Sequence, residues 1–339
     1  MIQEAKSGIS YVRQSEDNFE GDVDVPLAPV SGKDERRQLP RELFIRKPVL
    51  FIAKITVATT LIVAGWVTII LISSWPAVAL AMLINGLMYA HLVELQHECL
   101  HGHAFTSSAL NRLFGVLCGI FMMSSYSHYR YDHLQHHAYL GTLRNKEHFS
   151  YRFQHLDSVR GFARSFFDPS RFKKVAHWTL LAIAWRHLPG IAKVSYNCNI
   201  KQEYLFNFSL LVASILWTWE AGSPIFLLGW WLPALFVSEG IHFMIELPEH
   251  FGLNTQTDPN IITNTRTIRT SPLVAWFVNG NNIHTAHHYH QGVPMCNVDK
   301  LHRSIESTIA VVEPSYRYFY SAVIAGRIKQ HQQATCMMR

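Results

Sequence analysis

Four runs of apolar residues dominate the chain. Ile55 to Ile72 holds 18 residues without a charge, and Pro76 to Val93 holds another 18 broken only by Asn85 and His91. A bilayer core of about 30 Å takes roughly 20 helical residues at 1.5 Å each, so both runs predict membrane-crossing helices. Ser73, Ser74 and Trp75 alone separate them, which predicts a tight helical hairpin. A second pair, Tyr204 to Trp219 and Pro224 to Ile245, is joined by Glu220-Ala-Gly-Ser223 and admits Glu239 and His242 only near its far end. The shorter runs Leu113–Met123 and Trp178–Trp185 predict surface-lying or core helices, since segments of that size seldom span.

Charge orients these runs. Neither hairpin tip contains Lys or Arg, whereas the stretch Ser125–Glu203 carries 12 Lys/Arg against five Asp/Glu. The excess of bases on cytoplasmic segments therefore predicts that this stretch, the N-terminus and everything after Ile245 share the cytoplasm. The expected fold is all-α: an integral membrane protein with four transmembrane helices in two hairpins and a cytoplasmic helical cap. The formal net charge is +6, with eight acids and five bases in residues 1–40 and 16 acids and 25 bases in the remainder. No basic helix, zinc-finger spacing or aromatic RNA-binding signature accompanies those bases, so no nucleic-acid partner is expected. Residues 1–44 read as a polar cytoplasmic arm without the pattern of a cleavable signal peptide. Five unpaired-looking cysteines argue against a disulfide framework and for a reducing compartment. A 49% hydrophobic chain with 12% aromatics is not a disordered one.

The 20 histidines carry the candidate chemistry, through three clusters on the predicted cytoplasmic side. His97-Glu98-Cys99-Leu100-His101 ends the second span, with two imidazoles at i and i+4 on one helix face. His133-Leu134-Gln135-His136-His137 and His284-Thr285-Ala286-His287-His288 both read H-x-x-H-H and present three nitrogens each. Eight imidazoles exceed the four to six ligands of one metal, so two metals are implied. Imidazole suits Fe, Cu, Ni and Zn alike. The first cluster also fits H-E-x-x-H, the zinc metalloprotease motif in which the Glu is the base, but that reading leaves the other two clusters unemployed. A metal transporter would set its ligands within the spans, whereas these clusters lie beyond the span ends.

Taken in order, the three boxes and the two spans between the second and third resemble the membrane fatty acid desaturase family, with its related hydroxylases and carotenoid ketolases. The likeness rests on His97-Glu-Cys-Leu-His-Gly-His-Ala-Phe105, on Asp132-His-Leu-Gln-His-His-Ala-Tyr-Leu-Gly141, and on Asn282-Ile-His-Thr-Ala-His-His288 followed by Gly292-Val-Pro294 and Leu301-His302. It covers roughly residues 45–305 and implies a catalytic domain over 45–320 with a short tail, 321–339. It further implies two non-haem iron ions, dioxygen as co-substrate, and an acyl chain or lipid-like substrate desaturated in the membrane, with hydroxylation or ketolation as the alternative. Two departures matter. The second box continues Ala138-Tyr-Leu-Gly141 rather than Thr-Asp, closer to lipid-linked desaturases and ketolases, and no His-Pro-Gly-Gly haem motif is present. Electrons are therefore expected from a separate protein of ferredoxin or haem cytochrome type.

The resemblance implies a ninth ligand after the fourth span, where His242 and His250 compete. Eight residues of continuous helix separate them by about 12 Å along the axis, so only one reaches a common site. His250, in Glu249-His250-Phe-Gly252, is the one expected, which completes the set His97, His101, His133, His136, His137, His250, His284, His287 and His288. Glu98 and Asn282 adjoin ligands and are candidates for orienting them, because metal-bound imidazoles usually give their second N–H to an acceptor. The topology predicts that reporters fused after Trp75 or Gly222 report as external and those after Arg144 or His302 as internal. Opposite faces for Arg144 and His302 would separate the boxes by a bilayer and end the shared-site model.

Overall fold

The computed structural model describes residues 39–149, 151–153, 155–191 and 194–330. Most of the arm expected at 1–44 and the end of the tail from 331 onward lie outside the described residues. The chain forms α1 (Pro48–Leu71), α2 (Trp75–Leu100), α3 (Ser108–Gly119), α4 (Tyr126–Tyr139), α5 (Val159–Phe166), α6 (Ser170–Ile183) and α7 (Val194–Ala221). A helical run through two π turns, Leu227–Trp231 and Ala234–Ser238, leads into α8 (Glu239–His250). The rest is short: α9 (Ile261–Asn264), β1 (Thr267–Ile268), α10 (Pro272–Phe277), α11 (His284–Tyr289), α12 (Val298–Ile305), β2 (Val312–Glu313) and α13 (Tyr316–Ile324). β1 and β2 pair in parallel, Thr267 with Val312 and Ile268 with Glu313.

α1 buries one stripe, Phe51, Ala58, Ile62 and Gly65, with Ile55 and Trp66 half-buried beside it, and leaves much of its remaining apolar surface outside. Val49, Val63, Ile70 and Leu71 are each more than half exposed. An uncovered apolar face of that extent belongs against lipid rather than water. α2 is the centre of the bundle, with two thirds of its apolar window buried against 22% in the first segment. Small residues let backbones approach it: a methyl at Gly65 would collide with Asn85 of α2, and one at Gly86 with Val237. Three segments among the described residues are long and apolar enough to cross a membrane, Arg41–Leu71, Trp75–Leu100 and Leu227–His250. α7, expected as the third of four spans, is not one of them despite its 28 residues. Asn207, Ser209, Ser214 and Thr218 dilute the apolar part of that helix.

Buried polar contacts fix the cap to the bundle. Glu203 of α7 lies at the N-terminus of α4, where helix N–H groups lack partners and an anion is favoured. Its carboxylate accepts from Ser125 Oγ (2.8 Å), from Ser127 N and Oγ (2.7 Å each) and from Arg112 Nε (3.2 Å). Arg171 of α6 pairs with Glu239 at the start of α8 through Nε (2.6 Å) and also donates to the Met122 carbonyl (2.6 Å), with both side chains almost fully buried.

The packed region reaches beyond both expected boundaries. Leu43, inside the expected arm, is buried against Val298, Leu301 and Ile305 of the cap. α13 continues to Ile324 and buries Phe319, Ala322 and Val323, so the first residues of the expected tail belong to the core. The apolar spacing of these short segments was too brief to be read from sequence.

Replacing Glu203 by Ala strips partners from several buried donors and should cost about 3 kcal/mol of stability, with Glu203→Gln intermediate. Denaturant unfolding of the detergent-solubilised variants measures this, and a loss below about 0.5 kcal/mol would mean the donors find other acceptors.

Candidate metal centre

Four elements deliver the histidines. α2 carries His97 in its last turn and is capped by His101, α4 carries His133, His136 and His137, α8 ends on His250, and α11 carries His284, His287 and His288. Ser125 caps α4 by accepting from His128 N, which starts that helix at a defined residue and so sets the phase of its box.

These nine imidazoles converge as two groups, His97, His101, His133, His137 and His287 in one and His136, His250, His284 and His288 in the other. Within each group the potential ligand atoms lie within 4.8 Å of one another. In the first, Nε2 of His133 stands 2.8 Å from that of His97, 2.9 Å from His101 and 3.0 Å from His137, and His137 stands 3.0 Å from His287. In the second, His136 is 3.1 Å from His250 and 3.3 Å from His288, and His284 is 3.1 Å from His250. The groups adjoin, with the rings of His137 and His288 stacked at 4.1 Å.

The boxes are therefore split. In each H-x-x-H-H box the i and i+4 members share a group, and the i+3 member crosses to the other: His136 leaves His133 and His137, and His287 leaves His284 and His288. At 100° per residue, i+4 lies about 40° from i, whereas i+3 diverges from i+4 by about 100°. Each box, expected to present its three nitrogens from one helix face, is thus divided by the helix geometry.

Outer nitrogens fix several tautomers. His136 Nδ1 faces Asn145 Oδ1 (2.8 Å) and Glu147 Oε1 (3.0 Å), His250 Nδ1 faces the Asn264 carbonyl (2.9 Å), and His284 Nδ1 faces Asn281 Oδ1 (2.9 Å). Each partner is an acceptor, so Nδ1 carries the hydrogen and a neutral ring turns a bare Nε2 inward. Burial, reinforced by neighbouring imidazoles, pushes His101, His133, His137, His284, His287 and His288 well below the ordinary histidine range. Burial opposes charge at His136 and Glu147 too, but their mutual attraction prevails: His136 is raised and Glu147 is held at about 2. Converging neutral lone pairs repel unless a cation or protons sit among them. Two donors each about 2.1 Å from one ion stand about 3.0–3.4 Å apart, close to the spacings observed, so the donor set fits two metal ions. A water-sized cavity of about 10 Å³ touches His97 and His133 of one group, His136 of the other, and the carboxylates Glu94, Glu147, Glu246 and Glu249.

Other candidates fall elsewhere. His242 lies outside both groups, 2.9 Å from the Tyr151 hydroxyl and 3.5 Å from Glu94. Glu98 accepts from Asn279 Nδ2 (2.9 Å), whose Oδ1 in turn accepts from Lys54, so Glu98 turns away from the imidazoles. Among the described residues its carboxylate meets Asn279 and no imidazole, which gives no support to its expected orienting role. Asn282 donates to the Ile268 carbonyl (3.0 Å) and holds β1, not a ligand. The supporting residues that sequence reasoning missed are Asn145, Glu147 and Asn281. Asn281 lies three residues before His284, in the turn that precedes α11, close enough in sequence to be a candidate partner. Asn145 and Glu147 lie nine and eleven residues after His136, in the loop beyond the end of α4, which hides their link to it.

The fatty acid desaturase family model matches residues 73–320, which takes in all four elements that carry the converging histidines. No individual curated protein matches the chain.

Neutral buried histidines make stability depend on pH. A histidine whose folded pKa lies below its unfolded value of about 6.5 binds protons preferentially when unfolded, so its contribution is present above that value and lost as pH falls toward the folded pKa. Metal-free protein should lose stability steeply as pH falls below about 6.5, the six lowered histidines outweighing His136, whose raised pKa gives a contribution that is lost instead as pH rises. Thermal unfolding across pH measures this, and a flat profile down to pH 5 would contradict the assignment.

Proposed function

Because the chain belongs to the fatty acid desaturase family, we propose that it is a membrane-bound, non-haem di-iron, oxygen-dependent desaturase acting on an acyl chain or lipid-like substrate. Family membership implies an oxidoreductase. The observation that carries the finer reading is the pair of histidine groups, with inward Nε2 atoms 2.8–3.3 Å apart. In this reading His97, His101, His133, His137 and His287 would hold one iron, and His136, His250, His284 and His288 would hold the other. Bound iron supplies the capacity to reduce dioxygen and to take hydrogen from an unactivated C–H bond.

The chain's own residues do the rest. Asn281, Asn145, Glu147 and the Asn264 carbonyl hold ligand rings in one tautomer, which keeps the site organised before substrate arrives. The overall balance is –CH2–CH2– with one dioxygen, two electrons and two protons giving –CH=CH– and two waters. The two electrons come from a separate ferredoxin or haem cytochrome-type protein. Desaturation rather than hydroxylation or ketolation requires that a second hydrogen be within reach, a matter of sub-ångström positioning. An apolar cleft of about 660 Å³ beside α8, lined by Met244, Ile245, Val274 and Tyr316, supports a lipid-like substrate. The uncovered apolar face of α1 supports a membrane setting, and the basic stretch Ser125–Glu203 is what favours a cytoplasmic cap.

Purified protein should contain about two irons per chain, and expressing cells should accumulate unsaturated lipid only with oxygen and a reductant partner. His250→Ala and His284→Ala should each lose iron and product as fully as His287→Ala, while His242→Ala keeps most of its iron. Product formed under strict anaerobiosis, or a single zinc per chain, would overturn the proposal.

A further inference from the structure

The two histidine groups are unequal in number, five against four. Neutral imidazoles bring no charge to offset divalent ions in a buried site, where unpaired charge is costly. The carboxylates around the small cavity differ in where they face. Glu94 and Glu246 approach His242, at 3.5 and 4.0 Å, and Glu147 meets the outer nitrogen of His136. Glu249 instead brings Oε2 to 3.4 Å from Nε2 of His284, the inward nitrogen.

Asn281 sets that arrangement. Its Oδ1 accepts from His284 Nδ1, and its Nδ2 donates to Glu249 Oε1. One amide thus turns a bare imidazole nitrogen and a free carboxylate oxygen toward the same space. A separation of 3.4 Å between two acceptors is the edge expected of two donors about 2.1 Å from a common ion. We propose that Glu249 is a metal ligand, an anionic fifth donor that completes the four-histidine group. The inference rests on the di-metal reading above. It makes the two groups equal in donor number and unlike in charge, and it makes Asn281 a positioning residue for two ligands at once.

Infrared difference spectra of the wild-type protein, metal-loaded minus metal-free, test this without any variant: loading should shift a carboxylate stretching band. The band should vanish in Glu249→Gln, which keeps an acceptor for Asn281 but loses the anionic donor. Titration with Fe(II) and with Co(II) should show two ions in the wild type. In Glu249→Gln one ion should bind at least tenfold more weakly, and the Co(II) spectrum that remains should match that of His288→Ala rather than His133→Ala. No carboxylate shift in the wild type, a shift that persists in Glu249→Gln, or two ions of unchanged affinity and spectrum in the variant would each overturn the proposal. Those outcomes would leave Glu249 as a hydrogen-bond partner of His284. A wild-type protein that binds fewer than two ions would instead count against the di-metal reading itself.

Discussion

The structure depends on bringing bare imidazole nitrogens together in a place that excludes water. Nε2 atoms at 2.8–3.3 Å are too close to be indifferent to one another. Without a cation or a shared proton, their lone pairs repel, and burial removes the solvent that would screen them. The fold must therefore hold four separate helical segments in place against that repulsion, which a metal ion among the nitrogens would relieve.

The scaffold does this with apolar packing and a few buried charges. α2 is enclosed and runs straight into the site, so its last turn is anchored by the rest of the helix. α4 is short and polar, and it is held by the Glu203 carboxylate at its N-terminus. α8 enters after two π turns, features that recur near functional sites, and is tied to α6 by Arg171 and Glu239. A buried ion pair of this kind adds little net stability, but breaking it strands a charge, which makes its geometry hard to change. α11 has only six residues and cannot be stable alone; it is held by the core of Ile283, Ala286, Val298 and Leu301.

The outer nitrogens show how the groups differ. Three of the four rings of the second group meet acceptors at Nδ1, whereas Nδ1 of His97 and of His287 is buried without a partner among the described residues. A ring with an acceptor behind it is fixed in tautomer and more basic toward a metal. With Glu249 beside His284, the polar support gathers on the four-histidine group, and the five-histidine group relies on number and packing.

Legible in the sequence are the three histidine boxes, the grouping of His250 rather than His242 with them, and three of the four expected spans. Those follow from local rules: periodicity sets which residues share a helix face, and run length sets what can cross a bilayer. The partition of each box between two groups was implicit in the 100° turn per residue, but which partner each i+3 histidine meets depends on how α4 and α11 cross. Glu98 lay as near the ligands in sequence as Asn281 did, yet it turns to Asn279 and Lys54 while Asn281 holds His284. Glu249 and Glu147 acquire their places only through contacts 35 and 11 residues away in the chain. Direction along a helix is a property of spacing; the identity of the group opposite is decided by packing, because it needs two elements whose meeting no single segment specifies.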